Sequence, residues 1–127
     1  MQTWMAVGLG GALGSMLRHA AGIVVTRVAG TPVPHATAFV NVTGCLIIGL
    51  LAGLIAGDVL RVGDGTRAFL FAGLLGGFTT FSSFGLDTLT LVKAGAAATA
   101  LVNAAVQVGG GLAAVFLGFA CAQFFSR

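Results

Sequence analysis

One stretch near the middle of the chain constrains its architecture more than any other: Gly76-Gly77-Phe78-Thr79-Thr80-Phe81-Ser82-Ser83-Phe84-Gly85. It lies within a long apolar run, yet glycine weakens a helix and hydroxyl side chains offer the backbone competing hydrogen-bond partners. Backbone that leaves the helix at membrane depth is tolerated only where it is buried in protein or lines a wet cavity. The stretch therefore predicts either a structural kink or part of a permeation and binding site.

The composition of the whole chain indicates an integral membrane protein. Its 127 residues are 57% hydrophobic and 7% charged, with a mean hydropathy of +1.07, whereas a soluble domain is about a quarter charged. Too little polar surface remains to cover a soluble globule. Because a helix needs about 20 residues to cross a bilayer, the length permits four helices and almost no soluble domain.

We predict an all-α fold with one transmembrane domain over residues 1–127. Its four helices are expected at about residues 4–28, 35–56, 67–92 and 97–125, with the third broken mid-membrane near 76–81. Thr31-Pro32-Val33-Pro34 separates the first two helices, because proline removes a hydrogen-bond donor and keeps the preceding residue out of helical geometry. The N-terminus lacks the basic flank of a signal peptide, so we expect the first helix to be retained.

The basic residues divide evenly between the two sides of the predicted bundle. One side would carry Arg61, Arg67 and Arg127, and the other would carry Arg18, Arg27 and Lys93. Lys and Arg in short loops normally set the orientation of a membrane protein, so this pattern selects none. Either the balance arises by chance, or the chain inserts both ways and forms an antiparallel, dual-topology homodimer with inverted-repeat geometry.

Glycines at four-residue spacing mark one face on each of the first two helices. Gly10 and Gly14 share a face of the first helix, and Gly49, Gly53 and Gly57 share a face of the second. Small residues at this spacing allow backbones to approach closely in lipid. The faces predict helix packing, either between subunits or within one.

Polar side chains on the second and fourth helices could line a path for an ion. Thr37 and Asn41 are four residues apart, as are Asn103 and Gln107, so each pair shares a helix face. They could equally hold helices together by hydrogen bonds. Amides and hydroxyls can donate hydrogen bonds, and the only carboxylate within a predicted helix, Asp87, lies toward a helix end. Such a path suits an anion better than a cation.

The third helix adds rings and hydroxyls beside its break. Phe81 and Phe84 could turn their electropositive edges toward an anion, or could face lipid or the core. The hydroxyl of Ser83 lies between them in sequence and can donate a hydrogen bond. The break should also free carbonyls around Gly76 to Thr79. Such carbonyls coordinate Na⁺ in unwound membrane helices, and two copies at a dimer axis could form one four-oxygen site.

Other function classes gain no support from the sequence. It has no His-Glu-x-x-His motif, serine-nucleophile elbow or phosphate loop, and no zinc spacing. Its basic residues are scattered, so we expect no nucleic-acid partner. Arg18, near the end of the first helix, could anchor the chain at the membrane interface or draw anions into a vestibule. Cys45 and Cys121 fit small packing residues.

Three segments together resemble the Fluc (CrcB) family of bacterial fluoride channels. They are Gly-Gly-Ala-Leu-Gly-Ser-Met-Leu-Arg at residues 10–18, Phe-Val-Asn-Val-Thr-Gly-Cys-Leu-Ile-Ile-Gly at 39–49, and the stretch at 76–84. The third segment is highly specific to that family, and the three occur in order over the full length. The resemblance implies a multi-pass protein of the bacterial inner membrane that exports cytoplasmic fluoride passively and protects the cell from it.

The resemblance also implies an assembly and a set of site residues. The assembly is an antiparallel, dual-topology homodimer with two fluoride pores and a central Na⁺. Phe81 and Phe84 would flank the pores and Asn41 would line them. The carbonyls of Gly76 and Thr79 would hold the Na⁺. We expect further donors from Ser83, Thr37, Asn103 and Gln107, because fluoride is strongly hydrated and its water must be replaced.

The sequence departs from the family pattern at several positions. Ser83 stands where Thr is usual, Gly85 where Ser is frequent, and Asp87 where Glu is frequent. The fourth helix has Asn103 and Gln107 where the family often has Tyr and hydroxyl residues.

The alternative function is a small dual-topology drug exporter of the small multidrug resistance type, which should carry an acid in the first helix. A third possible function, after the channel and the exporter, is a non-transporting scaffold protein, which would show no ion selectivity.

Overall fold

The structure, a computed structural model, describes residues 2–30 and 34–125, and only the backbone of Pro34. These residues form helices and connecting turns, with no β-strand among them. The helices are α1 (Gln2–Ala29), α2 (Pro34–Ala56), α3 (residues 64–78), α4 (Phe81–Lys93) and α5 (Ala97–Phe125). The predicted break at residues 31–33 and the predicted charge of Arg127 lie outside the described residues. The all-helical prediction is confirmed for the part of the chain described.

Three helices are long and apolar enough to cross a membrane. They are His35–Ala56, Asp64–Lys93 (α3 and α4 together) and Ala97–Phe125. α1 has 28 residues, about 42 Å of helix, but its composition is more polar. Large apolar side chains such as Met16, Leu101 and Phe116 are exposed, as expected of a surface that faces lipid. The chain is therefore a multi-pass membrane protein.

α1 packs against α3 through glycines. A Cβ atom added to Gly10 would lie 2.5 Å from the carbonyl oxygen of Phe69, and one added to Gly14 would overlap that of Leu74. Opposite them, a Cβ atom at Gly73 would lie 2.9 Å from the Cα atom of Gly10. The two backbones are in direct contact, so only glycine fits at these positions.

α2 packs against α5 in the same manner. A Cβ atom at Gly49 would overlap the carbonyl oxygen of Val115, and one at Gly53 would lie 2.6 Å from the Cβ atom of Ala122. From the other helix, a Cβ atom at Gly118 would overlap the carbonyl oxygen of Leu46. The predicted glycine faces therefore pack helices within one chain at Gly10, Gly14, Gly49 and Gly53.

Two helix ends are closed by a residue in the left-handed conformation. Gly95 (φ 76°) follows α4, and the N–H groups of Gly95 and Ala96 donate to Val92 and Leu91. Asp58 (φ 58°) closes α2 with the same pattern of bonds. These bonds satisfy carbonyls that a helix end leaves open. The turn after α4 thus has the glycine that its backbone favours, whereas the turn after α2 places an aspartate in a conformation that L-residues seldom adopt.

Helical geometry changes in α3 and α5 near the middle of the chain's spans. Ala68–Leu75 of α3 and Val106–Gly110 of α5 adopt wider π-helical turns. π-turns inside helices are rare and often lie at functional sites. Both π segments lie close to the interruption between α3 and α4.

Candidate functional site

The predicted break lies at Thr79 and Thr80, between the end of α3 at Phe78 and the start of α4 at Phe81. Both residues are extended, with φ and ψ of −86° and 161° for Thr79 and −156° and 114° for Thr80. The Thr80 side chain then caps α4, since its Oγ1 accepts a hydrogen bond from the Ser83 N–H at 3.2 Å. A hydroxyl residue before the first turn is the usual helix start, so the sequence stops one helix and begins another here.

Asn41 of α2 holds the broken backbone in place. Its Oδ1 accepts a hydrogen bond from the Thr80 N–H at 2.7 Å, and its Nδ2 donates to the Thr80 carbonyl at 3.0 Å. One side chain thus satisfies both polar groups of a backbone that has left the helix, which is required at membrane depth. The amide also donates to Gln107 Oε1 at 2.6 Å, so both Asn41 amide hydrogens are engaged.

These bonds release two carbonyls from helical partners. In a continuous helix the Thr80 N–H would donate to the carbonyl of Gly76, and the Ser83 N–H to that of Thr79. Here those N–H groups donate to Asn41 Oδ1 and Thr80 Oγ1 instead. The carbonyls of Gly76 and Thr79 are therefore available to another electropositive partner.

A line of hydrogen bonds continues from Asn41 into α5 and returns to α4. Gln107 Nε2 donates to Asn103 Oδ1 at 3.0 Å, and Asn103 Nδ2 donates to Thr88 Oγ1 at 3.0 Å. Thr88 Oγ1 donates in turn to the Phe84 carbonyl at 2.8 Å. Asn103 and Gln107 are buried, with 7% and 8% of their surfaces exposed. Buried polar groups must be paired, and this line pairs them.

A cavity of about 420 Å³ adjoins the break. Most of its lining is apolar. The polar lining residues come from α2, from the break and from α5, and include Asn41, Thr79, Thr80 and Gln107. Phe81 and Phe84 form part of that wall, with ring centroids 5.2 Å apart in an edge-to-face arrangement. Phe81 is 79% exposed on the single chain. An apolar pocket with a few converging polar groups is the usual form of a binding site.

The predicted site residues fall into two groups in the structure. Asn41, Gln107, Phe81, Phe84, Gly76 and Thr79 line the cavity, whereas Thr37, Ser83, Asn103 and Arg18 are not among its described lining residues. Ser83 Oγ, in the first turn of α4, accepts a hydrogen bond from Thr80 Oγ1 at 3.1 Å. Asn103 lies one turn behind Gln107, and Thr37 is buried one turn before Asn41.

Arg18 lines a separate cavity of about 480 Å³ between α1 and the start of α2. His19, Thr26 and Arg27 of α1 share that lining, so the cavity is cationic. The only ion pair among the residues described joins Asp58 to Arg61. Arg18 is half-buried, consistent with either of its predicted roles, an interfacial anchor or a vestibule charge.

The roles of two residues of the site were not predicted from the sequence. Thr80 was one of several hydroxyls, with no sign that its backbone would pair with Asn41, 39 positions earlier. Thr88 gave only a weak signal, its position four residues after Phe84. Nothing in the sequence pairs it with Asn103. One further polar atom, Asp87 Oδ2, is buried with no hydrogen-bond partner in the described part of the chain.

Comparison with known proteins places the chain in a family. The family described as "CrcB-like protein, Camphor Resistance (CrcB)" matches residues 5–119. A protein of Paracoccus denitrificans is 49% identical over 117 residues, covering 91% of this chain and 90% of its own. One of Hyphomonas neptunium is 42% identical, covering 93% of each, and one of Beijerinckia indica is 39% identical, covering 99% and 100%. All three are named "Fluoride-specific ion channel FluC". The resemblance is confirmed: the chain belongs to the CrcB family.

Proposed function

We propose that this chain is a fluoride-selective ion channel of a bacterial membrane, which lets cytoplasmic fluoride leave the cell passively. The relatives that match nearly the whole chain are named for fluoride. The observation on the molecule that carries the proposal is the cavity where the Asn41-clamped break and Gln107 meet the rings of Phe81 and Phe84. The drug-exporter alternative has no such support, since family membership favours the channel.

The chemistry of the cavity suits a small anion. Fluoride holds its water strongly, so a conducting path must offer several donors that bind and release it. The second amide hydrogen of Gln107 Nε2 has no partner among the described residues and is one such donor. The electropositive edges of Phe81 and Phe84 add weaker contacts. Asn41 contributes by holding the break, since both its amide hydrogens are engaged.

The proposed assembly is an antiparallel, dual-topology homodimer in which α1 is the fourth span of each subunit. Support comes from the exposed Phe81 ring, which a second copy would cover, and from the even division of Lys and Arg in the sequence. Adding several lysines to the loop at residues 57–63 should force one orientation and reduce the active dimer. Undiminished activity with one fixed topology would rule out the antiparallel arrangement.

We further propose a structural Na⁺ held by the carbonyls of Gly76 and Thr79 from two subunits. The donor set fits, because both carbonyls have lost their helical partners and oxygen is the ligand that a hard cation prefers. The described residues contain no cluster of His, Cys, Asp or Glu that could hold a metal by side chains. The ion would supply fixed positive charge that stabilises the opened backbone.

The function can be tested in cells. A bacterial strain without its own fluoride export should regain growth in fluoride when it expresses this chain. An Asn41→Leu variant at equal expression should not restore growth. Cys121→Ala, at an exposed residue of α5 that is not among the described lining residues of the cavity, is the control and should restore it. Failure of the unaltered chain to restore growth, with the protein present in the membrane, would contradict the proposal.

A further inference from the structure

We infer that Thr88 and Asn103 are positioning residues, which fix the orientation of the Gln107 amide beside the cavity. The inference deepens the proposed function and rests on it. Neither residue is among the described lining residues of the cavity, so they act through Gln107 and Asn41. Each hydrogen bond in the line between Thr80 and Phe84 has a fixed direction.

The direction is set first by the break. The Thr80 N–H can only donate, so the Asn41 atom that faces it must be the carbonyl oxygen. The Asn41 nitrogen must then face Gln107, which has to present Oε1. That choice turns Gln107 Nε2 toward α5's preceding turn, where it can bond only to an oxygen.

The same direction is set independently from the other end. The Thr88 hydroxyl donates its one hydrogen to the Phe84 carbonyl, so it can only accept a hydrogen bond from Asn103. Asn103 must therefore present Nδ2 to Thr88 and Oδ1 to Gln107. Both ends require one sense for the whole line, and no amide in it can flip without placing two donors or two acceptors face to face.

The consequence falls on Gln107. Its oxygen is held by Asn41 and one amide hydrogen by Asn103, which leaves the second amide hydrogen free to donate. Without Thr88, the Asn103 amide loses the partner that fixes its orientation, and only the bond from Asn41 then holds the Gln107 amide. Gln107 should therefore present oxygen in place of hydrogen in a larger fraction of molecules. An oxygen would repel an anion. Thr88 therefore controls the donor of the cavity from a distance of two hydrogen bonds.

Matched variants separate this role from simple helix packing. Thr88→Val keeps the side-chain shape but removes both hydrogen bonds, and Thr88→Ser keeps the hydroxyl. Thr90 provides the control, because its Oγ1 donates to the Leu86 carbonyl at 2.9 Å on the same helix but is exposed and outside the line. Thr90→Val thus deletes the same intrahelical bond without touching Gln107.

The experiment measures fluoride and chloride release from liposomes that contain each purified variant, with thermal unfolding recorded alongside. Thr88→Val should lose about tenfold in fluoride release, the factor that corresponds to one ordinary hydrogen bond, and should discriminate less against chloride. Fluoride release by Thr88→Ser and by Thr90→Val should stay within about twofold of that by the unaltered chain, a change smaller than the loss of one ordinary hydrogen bond would produce. If Thr88→Val does not fold, Thr88→Ala removes the same hydroxyl with better helix propensity.

The possible results separate a failure of the positioning role of Thr88 from a failure of the proposed channel function. Fluoride release by folded Thr88→Val or Thr88→Ala equal to that of the unaltered chain would overturn the inference while the channel stands. An equal loss in Thr90→Val would overturn it too, since the effect would then belong to the helix. No fluoride release from the unaltered chain would instead refute the proposed function.

Discussion

The contact between α2 and α5 is made in two different ways along its length. Around Gly49 and Gly118 the two backbones touch, and one turn beyond Gly49 the Gln123 side chain donates a hydrogen bond to the Gly53 carbonyl at 3.2 Å. Around Asn41 and Gln107 the helices are joined by a short hydrogen bond from one side-chain amide to the other. The first region depends mainly on close contact between the two backbones, so any added side chain harms it. The second depends on the direction of each donor and acceptor, so a substitution of equal shape can disable it.

The largest expected effect is on the shape-dependent region. Gly118→Ala places a methyl group against the Leu46 carbonyl and should lower the free energy of unfolding by about 1–3 kcal/mol. Gly109→Ala, on the same helix with no atom within 4 Å of the added methyl, is the control and should be neutral or stabilising. Denaturant titration in detergent, followed by helical circular dichroism, measures both. Equal stability of the two variants would show that the backbones are not in contact.

The direction-dependent region is tested through Asn41. Asn41→Leu has a similar size but loses the three hydrogen bonds to Thr80 and Gln107. Fluoride release should fall by roughly 100-fold if the net loss equals about two ordinary hydrogen bonds. Asn41→Asp keeps the acceptor for Thr80 N–H, loses both donors and adds negative charge, so it should also block. Flux assays on protein of normal stability check this. Unchanged flux in either variant would remove the clamp from the mechanism.

The rings at the cavity should affect transport more than folding. Phe81→Ile and Phe84→Ile should each slow fluoride release by about tenfold, since an aliphatic side chain offers no electropositive edge. The folded assembly should persist. Phe116→Ile, a change at an exposed ring of α5 away from the cavity, is the control. Full transport in a folded double variant would exclude the rings.

The smallest effect is expected at the surface. Arg61 and Asp58 form an ion pair at 3.3 Å, but their side chains are 82% and 78% exposed. Arg61→Ala should therefore change the free energy of unfolding by less than about 0.5 kcal/mol and leave transport unaltered. The same titration and flux assays apply. A large loss would indicate a contact that the single chain does not contain.

The sequence predicted the parts of the fold that depend on local chemistry. Glycine and hydroxyl residues interrupt the third predicted helix, and the break is found at Thr79 and Thr80 within the predicted range. Glycine spacing predicted packing faces, and the structure adds the partner of each face. The π-turns were not predictable, because an apolar run has the same hydrophobicity whether its backbone bonds span four residues or five.

The sequence predicted which residues form the site, but not which of them are joined by hydrogen bonds. Asn41, Gln107, Phe81 and Phe84 were all candidates, and they lie on one cavity; their part in conduction stays a prediction. The sequence suggested that Asn41 donates to an anion, whereas its hydrogens are engaged within the chain. Such pairings join residues far apart in sequence, and no local pattern records which donor meets which acceptor.

Fluoride and chloride release from liposomes containing the purified, unaltered chain tests the central claim most directly. A fluoride electrode and a chloride electrode follow two otherwise identical preparations, with protein-free liposomes as the baseline. The account predicts rapid fluoride release with little chloride release. Equal release of both ions, or no fluoride release from folded protein, would contradict it.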